Sequence, residues 1–261
     1  MYFQQIRSAT VKLEYAGKRF LVDPWLSVKD AYPPLPLVGR DDVRNPMTEL
    51  PLPIEEILAV DAVIVTHTHF DHFDETARGL ISRDRKLFVQ DEVDEAELKG
   101  YGFTNTEILR EVGTAFGGIV LYKTGCAHGM GAVTEDAMAQ AGLRRTTDAC
   151  GVVFVSPEEK TVYLAGDTLW FAGVKQALER HRPEIVILNT ARAEFPKGHP
   201  IIMGLEDLQA VREAAPAALL IASHMGAVSH AQVTRADIHR FLAEKAIVGV
   251  WVPEDGEGRF F

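Results

Sequence analysis

Thr66-His67-Thr68-His69-Phe70-Asp71-His72 directly follows the apolar run Ala62-Val63-Ile64-Val65 and brings four ligand-type side chains into six residues. A neutral imidazole offers one lone pair to a divalent cation, and a carboxylate adds the charge that helps to hold it. If the chain stays extended past Val65, the two-residue period of a strand sends His67, His69 and Asp71 to one side and leaves His72 to the turn beyond. A lone histidine is usually solvated or part of a core. Here the His-x-His-x-Asp-His order sits at the carboxyl end of a β-branched strand, where α/β folds gather their ligands, and the metal reading outweighs a chance polar loop. Ligands so close in sequence do not readily enclose a pair of metals, so further His or Asp residues are expected at the ends of other strands.

Three such residues follow apolar runs. His128 lies in Gly125-Cys126-Ala127-His128-Gly129 after Ile119 to Tyr122, Asp167 in Ala165-Gly166-Asp167-Thr168 after Val162-Tyr163-Leu164, and His224 in Ser223-His224-Met225-Gly226 after Leu219 to Ala222. Each alone is a weak signal, because Gly-Asp-Thr is a common turn and a histidine after a strand is commonly capped or solvated. Together with the opening cluster they complete a seven-ligand order that chance seldom produces.

In that order the chain resembles the metallo-β-lactamase superfamily, over nearly its whole length. The resemblance implies an α/β fold, a four-layer αβ/βα sandwich of two mixed β-sheets flanked by helices, with metals at one edge of the sheets. It implies two divalent metal ions, with His67, His69 and His128 on one, Asp71, His72 and His224 on the other, and Asp167 bridging them. Zinc suits a mixed N/O set rich in histidine, with manganese or iron next. Val22-Asp23-Pro24-Trp25, Asp74 two residues after His72, and Ala165-Gly166-Asp167-Thr168 look most like the branch of L-ascorbate-6-phosphate lactonase and the phospholipase D that cleaves N-acyl phosphatidylethanolamines. No Cys takes the second-site position that true lactamases of the superfamily often fill with one. Phe73-Asp74-Glu75 departs from the glycines that usually follow the cluster in the glyoxalase II branch.

Two cations sharing a carboxylate lower the pKa of a bridging water towards roughly 7 and supply hydroxide as nucleophile, so no serine or cysteine is required. The expected function is metal-dependent hydrolysis of a small ester, lactone or phosphorylated metabolite, with Asp71 and Asp167 as the catalytic carboxylates and Asp71 holding or shuttling the released proton. The alternatives are an iron-binding oxidoreductase of the same fold and a nucleic-acid-processing member. The flavin or rubredoxin domain of the former and the added domain and basic groove of the latter are not visible in the sequence.

Outside the motif, His199 and His230 are the candidate substrate contacts. His199, in Lys197-Gly198-His199-Pro200, follows the Asn189-Thr190 strand end; His230, six residues past His224, either reaches the site or caps a helix at the surface. Arg192 and Lys197 would suit a substrate phosphate or serve as ordinary surface charge. Cys126 and Cys150 read as reduced thiols.

With 261 residues, 47% hydrophobic and 25% charged, the chain has an ordinary globular composition and reads as one domain, 1–261. A net charge of −10 disfavours a nucleic-acid partner. No apolar run approaches the roughly 20 residues of a membrane span and no basic-then-apolar leader opens the chain, so a soluble, cytoplasmic enzyme of a small-molecule substrate is expected. Strands are expected at 2–7, 10–15, 19–22, 86–89, 106–109, 119–122, 151–155 and 161–164, and helices at 74–81 and 92–99. From residue 171 helices and strands alternate, which implies helix layers over sheets. The proline-rich stretch 24–53 reads as a long loop able to lean over a site, with apolar residues that would support self-association into a homo-oligomer. Residues 124–148 read as a mobile flap with a helix at 135–141.

Overall fold

In the computed structural model, which describes residues 1–142 and 148–261, two seven-stranded mixed sheets stack face to face between helices. Part of the expected flap lies outside the described residues. The first sheet contains β1 (Tyr2–Arg7), β2 (Thr10–Tyr15), β3 (Lys18–Val22), β4 (Ala62–Val65), β5 (Lys86–Val89), β6 (Thr106–Ile108) and, at its far edge beside β1, β14 (Gly258–Phe260). The second runs, in spatial order, β13 (Val250–Trp251), β12 (Leu219–Ser223), β11 (Ile185–Asn189), β10 (Glu159–Leu164), β9 (Cys150–Ser156), β8 (Ile119–Gly125) and β7 (Thr114–Phe116).

Strands β1-β2-β3 and β7-β8-β9-β10 pair antiparallel, and β3-β4-β5-β6 and β10-β11-β12-β13 pair parallel; every parallel connection carries a helix, while the antiparallel ones are short turns except β8 to β9, which also carries a helix. The parallel strands read as continuous apolar runs because both their faces are covered. In β4, Ile64 enters the core between the sheets, while Val63 and Val65 pack beneath α1 (Ile54–Ile57), α2 (Glu75–Leu80) and α3 (Glu92–Gly100). In β11, Ile185 and Ile187 face inward, and Val186 and Leu188 meet α5 (Ala172–His181) and α6 (Leu205–Ala214). The remaining helices are α4 (Ala132–Gln140) and α7 (Arg235–Glu244).

Strand polarity places the candidate ligands. Because β9 runs opposite to both its neighbours, β8 and β10 point the same way, and β12 follows through the parallel β11. The carboxyl ends of β8, β10 and β12, which precede His128, Asp167 and His224, therefore open on one edge. Among the described residues the cis peptide bonds are Asn45–Pro46 and Phe195–Pro196. Both cysteines are free thiols, and among the described residues no helix is long and apolar enough to cross a membrane.

The core is anchored by aromatic rings in edge contact across the two sheets: Phe154 meets Phe20 at 5.3 Å and Tyr15 at 5.7 Å between centroids, and all three are fully buried. Phe154→Ala should destabilise the protein by about 3–5 kcal/mol, seen as a fall in the urea midpoint. A loss under about 1 kcal/mol would show that the sheet interface repacks freely.

Candidate metal centre

The chain does not stay extended past Val65, as the simple strand period would require. Asp23, at the end of β3, turns it: its carboxylate accepts hydrogen bonds from the Thr66 backbone N–H at 2.7 Å and the Thr66 hydroxyl at 2.8 Å. The His69 carbonyl then accepts from the N–H groups of His72 and Phe73, closing a turn. Asp74 caps α2 by accepting from Ala77 N–H at 2.7 Å, and its carboxylate also takes the N–H of Ser27 at 2.8 Å. The motif is thus a folded loop tied at one end to Asp23 after β3 and at the other to the proline-rich segment, and it presents His67, His69, Asp71 and His72 by its turn rather than by pleat alternation.

All seven expected residues converge at the sheet edge and are buried. Ligand atoms lie within 4.8 Å of one another in three overlapping groups: His67, His69 and His128; His67, His72 and Asp167; and Asp71, His72 and His224. His69 Nδ1 stands 3.2 Å from His128 Nε2, His72 Nε2 stands 3.2 Å from His224 Nε2, and His72 Nε2 stands 3.1 Å from Asp167 Oδ2. Donor atoms around one tetrahedral zinc, with arms of 2.0–2.1 Å, would be separated by about 3.3 Å. The spacings fit ligands arranged around cations.

The far side of the rings carries the same message. His72 Nδ1 donates to Asp23 Oδ2 at 2.9 Å and His128 Nδ1 to the Ile201 carbonyl at 2.9 Å, while His224 Nδ1 lies 3.3 Å from Ser8 Oγ. Engaging Nδ1 in this way turns Nε2 of each ring inward. The buried Nε2 of His67 has no hydrogen-bond partner. Asn189 donates to Asp167 Oδ1 at 2.6 Å and orients that carboxylate. Asp23, Asn189, Ser8 and the Ile201 carbonyl are supporting groups that the motif alone does not reveal.

Burial depresses the pKa of His67 well below the ordinary range, with His72 and His69 adding to it, and burial with His128 brings His69 to about 3. Burial also lowers His128, against the pull of Asp167. These three imidazoles are neutral at pH 7 and keep their lone pairs. On Asp167 burial works to raise the pKa, but His72 and His224 outweigh it and hold the carboxylate ionised. On His72 burial is likewise overcome, by Asp167, Asp23 and Asp71, which raise it.

Backbone strain is present here. Asp23 and His224 adopt left-handed φ of 48° and 69°, which costs about 1 kcal/mol or more at each non-glycine residue. Gly166, before Asp167, also has positive φ, and a Cβ there would lie 2.4 Å from the Cys150 carbonyl oxygen. Only glycine fits that approach.

A cavity of about 220 Å³ opens over the cluster, reaching His69, Asp71, His128 and Asp167. Pro33 to Pro36, Phe70, Met138, Phe195 and Ile201 form its apolar walls. The proline-rich loop therefore leans over the site, as its composition suggested. The two outer histidines separate: His230 is buried in the cavity wall, not at the surface, whereas His199 is exposed on the loop after Phe195 and does not line the cavity. Arg192 pairs with Glu194 at 3.1 Å, Lys197 is exposed, and neither lines the cavity.

The Beta-lactamase superfamily domain matches residues 18–225, and the UPF0173 protein YddR of Bacillus subtilis (strain 168) is 42% identical over the full length of both chains. The chain belongs to the UPF0173 metal-dependent hydrolase family of the metallo-β-lactamase superfamily. The solved isothiocyanate hydrolase from Delia radicum gut bacteria superposes with a TM-score of 0.93 at 43% identity, covering 100% of this chain and 99% of that one. A possible metal-dependent hydrolase from Veillonella parvula DSM 2008 gives 0.93 at 39% identity, covering 99% and 98%. This UPF0173 member is accordingly a metal-dependent hydrolase whose described residues include clustered His and Asp side chains suited to a metal.

Asp23→Asn should weaken metal binding about 10–100-fold, measured by competition with a chelating dye, because the carboxylate orients His72 and adds to its basicity. An unchanged affinity in a folded variant would remove Asp23 from the supporting shell.

Proposed function

We propose that the seven residues hold two divalent cations, zinc first, and that the enzyme hydrolyses small apolar electrophiles of the isothiocyanate class. The observation that carries the substrate reading is the cavity: apolar walls stand directly over the cluster, and no Lys or Arg is among its described lining residues. Such walls suit an uncharged substrate with a hydrocarbon group and an electrophilic carbon. The phosphorylated metabolites expected from the lactonase-like features suit them least, while small esters and lactones share the reacting carbon and stay as the second class. The isothiocyanate hydrolase at 43% identity over nearly the whole of both chains supports the first choice.

Bound cations would lower the pKa of coordinated water and polarise the electrophile. His67, His69 and His128 would hold one and Asp71, His72 and His224 the other, with Asp167 between them, kept ionised by its imidazole neighbours. Asp71 lines the cavity and is placed to accept the proton that water gives up. In the overall reaction water oxygen bonds to the central carbon of R–N=C=S, the carbon–nitrogen bond breaks, both water protons end on nitrogen, and the products are an amine and carbonyl sulfide. The walls keep bulk water from the reacting carbon and orient the hydrocarbon group.

Turnover of benzyl isothiocyanate, followed by amine release, should stop on chelation and return with zinc or manganese. Asp167→Asn and His67→Ala should each lower kcat/KM by about 100-fold or more, as expected when several kcal/mol of charge stabilisation are lost. Full activity in either variant, or turnover of a phosphodiester or lactone panel but not of the isothiocyanate, would overturn the assignment.

A further inference from the structure

Among the cavity-lining groups, His230 stands apart. Four of the polar side chains there, His69, Asp71, His128 and Asp167, belong to the proposed metal cluster. Tyr32, a fifth, donates its hydroxyl to Asp74 at 3.4 Å. His230 is 7% exposed, and its buried Nδ1 has no hydrogen-bond partner. No described residue hydrogen-bonds that nitrogen, and Asp71, in the same cavity, acts on the ring only through its charge.

Its backbone, by contrast, is pinned. The preceding Ser229 is held by Asn45, whose Oδ1 accepts from Ser229 N–H at 2.8 Å and whose Nδ2 donates to Ser229 Oγ at 3.2 Å. The His230 carbonyl accepts from Glu194 N–H and from Gln232 Nε2, each at 3.1 Å. A buried ring on a backbone held this firmly, with Nδ1 unpartnered, has hydrogen-bonding capacity to offer to what the cavity receives.

The tautomer follows from the surroundings. A buried N–H without an acceptor costs more than a bare lone pair, so the ring proton belongs on Nε2, the nitrogen left for the cavity, and Nδ1 stays unprotonated. An apolar chamber with one inward N–H selects a ligand that has a hydrocarbon body and a single acceptor atom beside the reacting carbon.

We propose that His230 Nε2–H donates a hydrogen bond to the substrate nitrogen that bears the hydrocarbon group. This rests on the isothiocyanate-class reading of the site. When water oxygen bonds to the central carbon, one electron pair of the carbon–nitrogen double bond moves onto nitrogen, and the Nε2–H group meets it there. The two protons that finally reside on nitrogen still come from water, so His230 keeps its own and acts by orienting nitrogen and stabilising its charge. The donor thereby discriminates among apolar electrophiles: those with an acceptor atom next to the hydrocarbon group are retained, and simple hydrocarbons of the same shape are not.

Benzyl azide tests this without turnover, because it is a linear, stable analogue of benzyl isothiocyanate with an acceptor nitrogen on the benzyl carbon. In the zinc-loaded protein, ring ¹⁵N spectra assigned by comparison with His230→Gln should show the Nε2–H form of His230, and added benzyl azide should shift that resonance. His230→Leu should raise the benzyl azide Kd about tenfold, and His230→Gln, which retains a donor, about threefold or less; one neutral hydrogen bond has this worth. With benzyl isothiocyanate, His230→Leu should lower kcat more than it raises KM. The proposal is overturned if the ring carries its proton on Nδ1, if the wild-type protein does not bind benzyl azide, or if His230→Leu binds it as tightly. The tautomer is read in the wild-type protein and so stands even if a variant fails to fold. If the azide results hold and benzyl isothiocyanate is not hydrolysed, the substrate assignment fails while the donor role stands.

Discussion

The bond between Asp23 and His72 is the constraint on which the site depends. One carboxylate, at the end of β3, receives the Nδ1 proton of His72 and also the backbone N–H and hydroxyl of Thr66. It therefore stops β4, turns the His-rich loop inward and fixes which nitrogen of His72 faces the cluster. Without it, His72 Nε2 has no reason to stand 3.2 Å from His224 Nε2 and 3.1 Å from Asp167 Oδ2. The left-handed backbone of Asp23 is tolerated because so much of the surrounding hydrogen bonding is routed through it.

A set of buried imidazoles and carboxylates would be a liability in an ordinary core, where unsatisfied polar groups cost roughly 1–3 kcal/mol each. Here the fold concentrates them at one edge, where β8, β10 and β12 end together, and shields them with the proline-rich loop. The apolar interior between the sheets and under the helices carries stability, which leaves the edge free for chemistry. The cavity walls continue that division, with hydrocarbon around a polar floor.

The convergence of the seven candidate ligands and the layered fold were legible because the His-x-His-x-Asp-His cluster follows one apolar strand and His128, Asp167 and His224 come shortly after three others. The long strands and amphipathic helices were also readable, since a segment buried on both faces announces itself as a β-branched run. Thr114–Phe116 and Gly258–Phe260 were not among the expected strands, since Thr-Ala-Phe and Gly-Arg-Phe hold no apolar run. Asp23 was visible as a strand end, but its role depends on His72, 49 residues away. Asn189 and the Ile201 carbonyl act through contacts of the same non-local kind. His199 and His230 were both candidate contacts, with a surface role the stronger reading for His230; Asn45 holds Ser229 beside the buried His230, while His199 sits exposed in the turn after Pro196.

The most direct measurement is a crystal structure of the zinc-loaded protein with anomalous difference maps at the zinc edge. Two peaks per chain are predicted, one touched by His67 Nε2, His69 Nδ1 and His128 Nε2, the other by Asp71, His72 Nε2 and His224 Nε2, with Asp167 contacting both. A single peak, peaks away from the ends of β8, β10 and β12, or coordination through His72 Nδ1 in place of its bond to Asp23 would contradict the account.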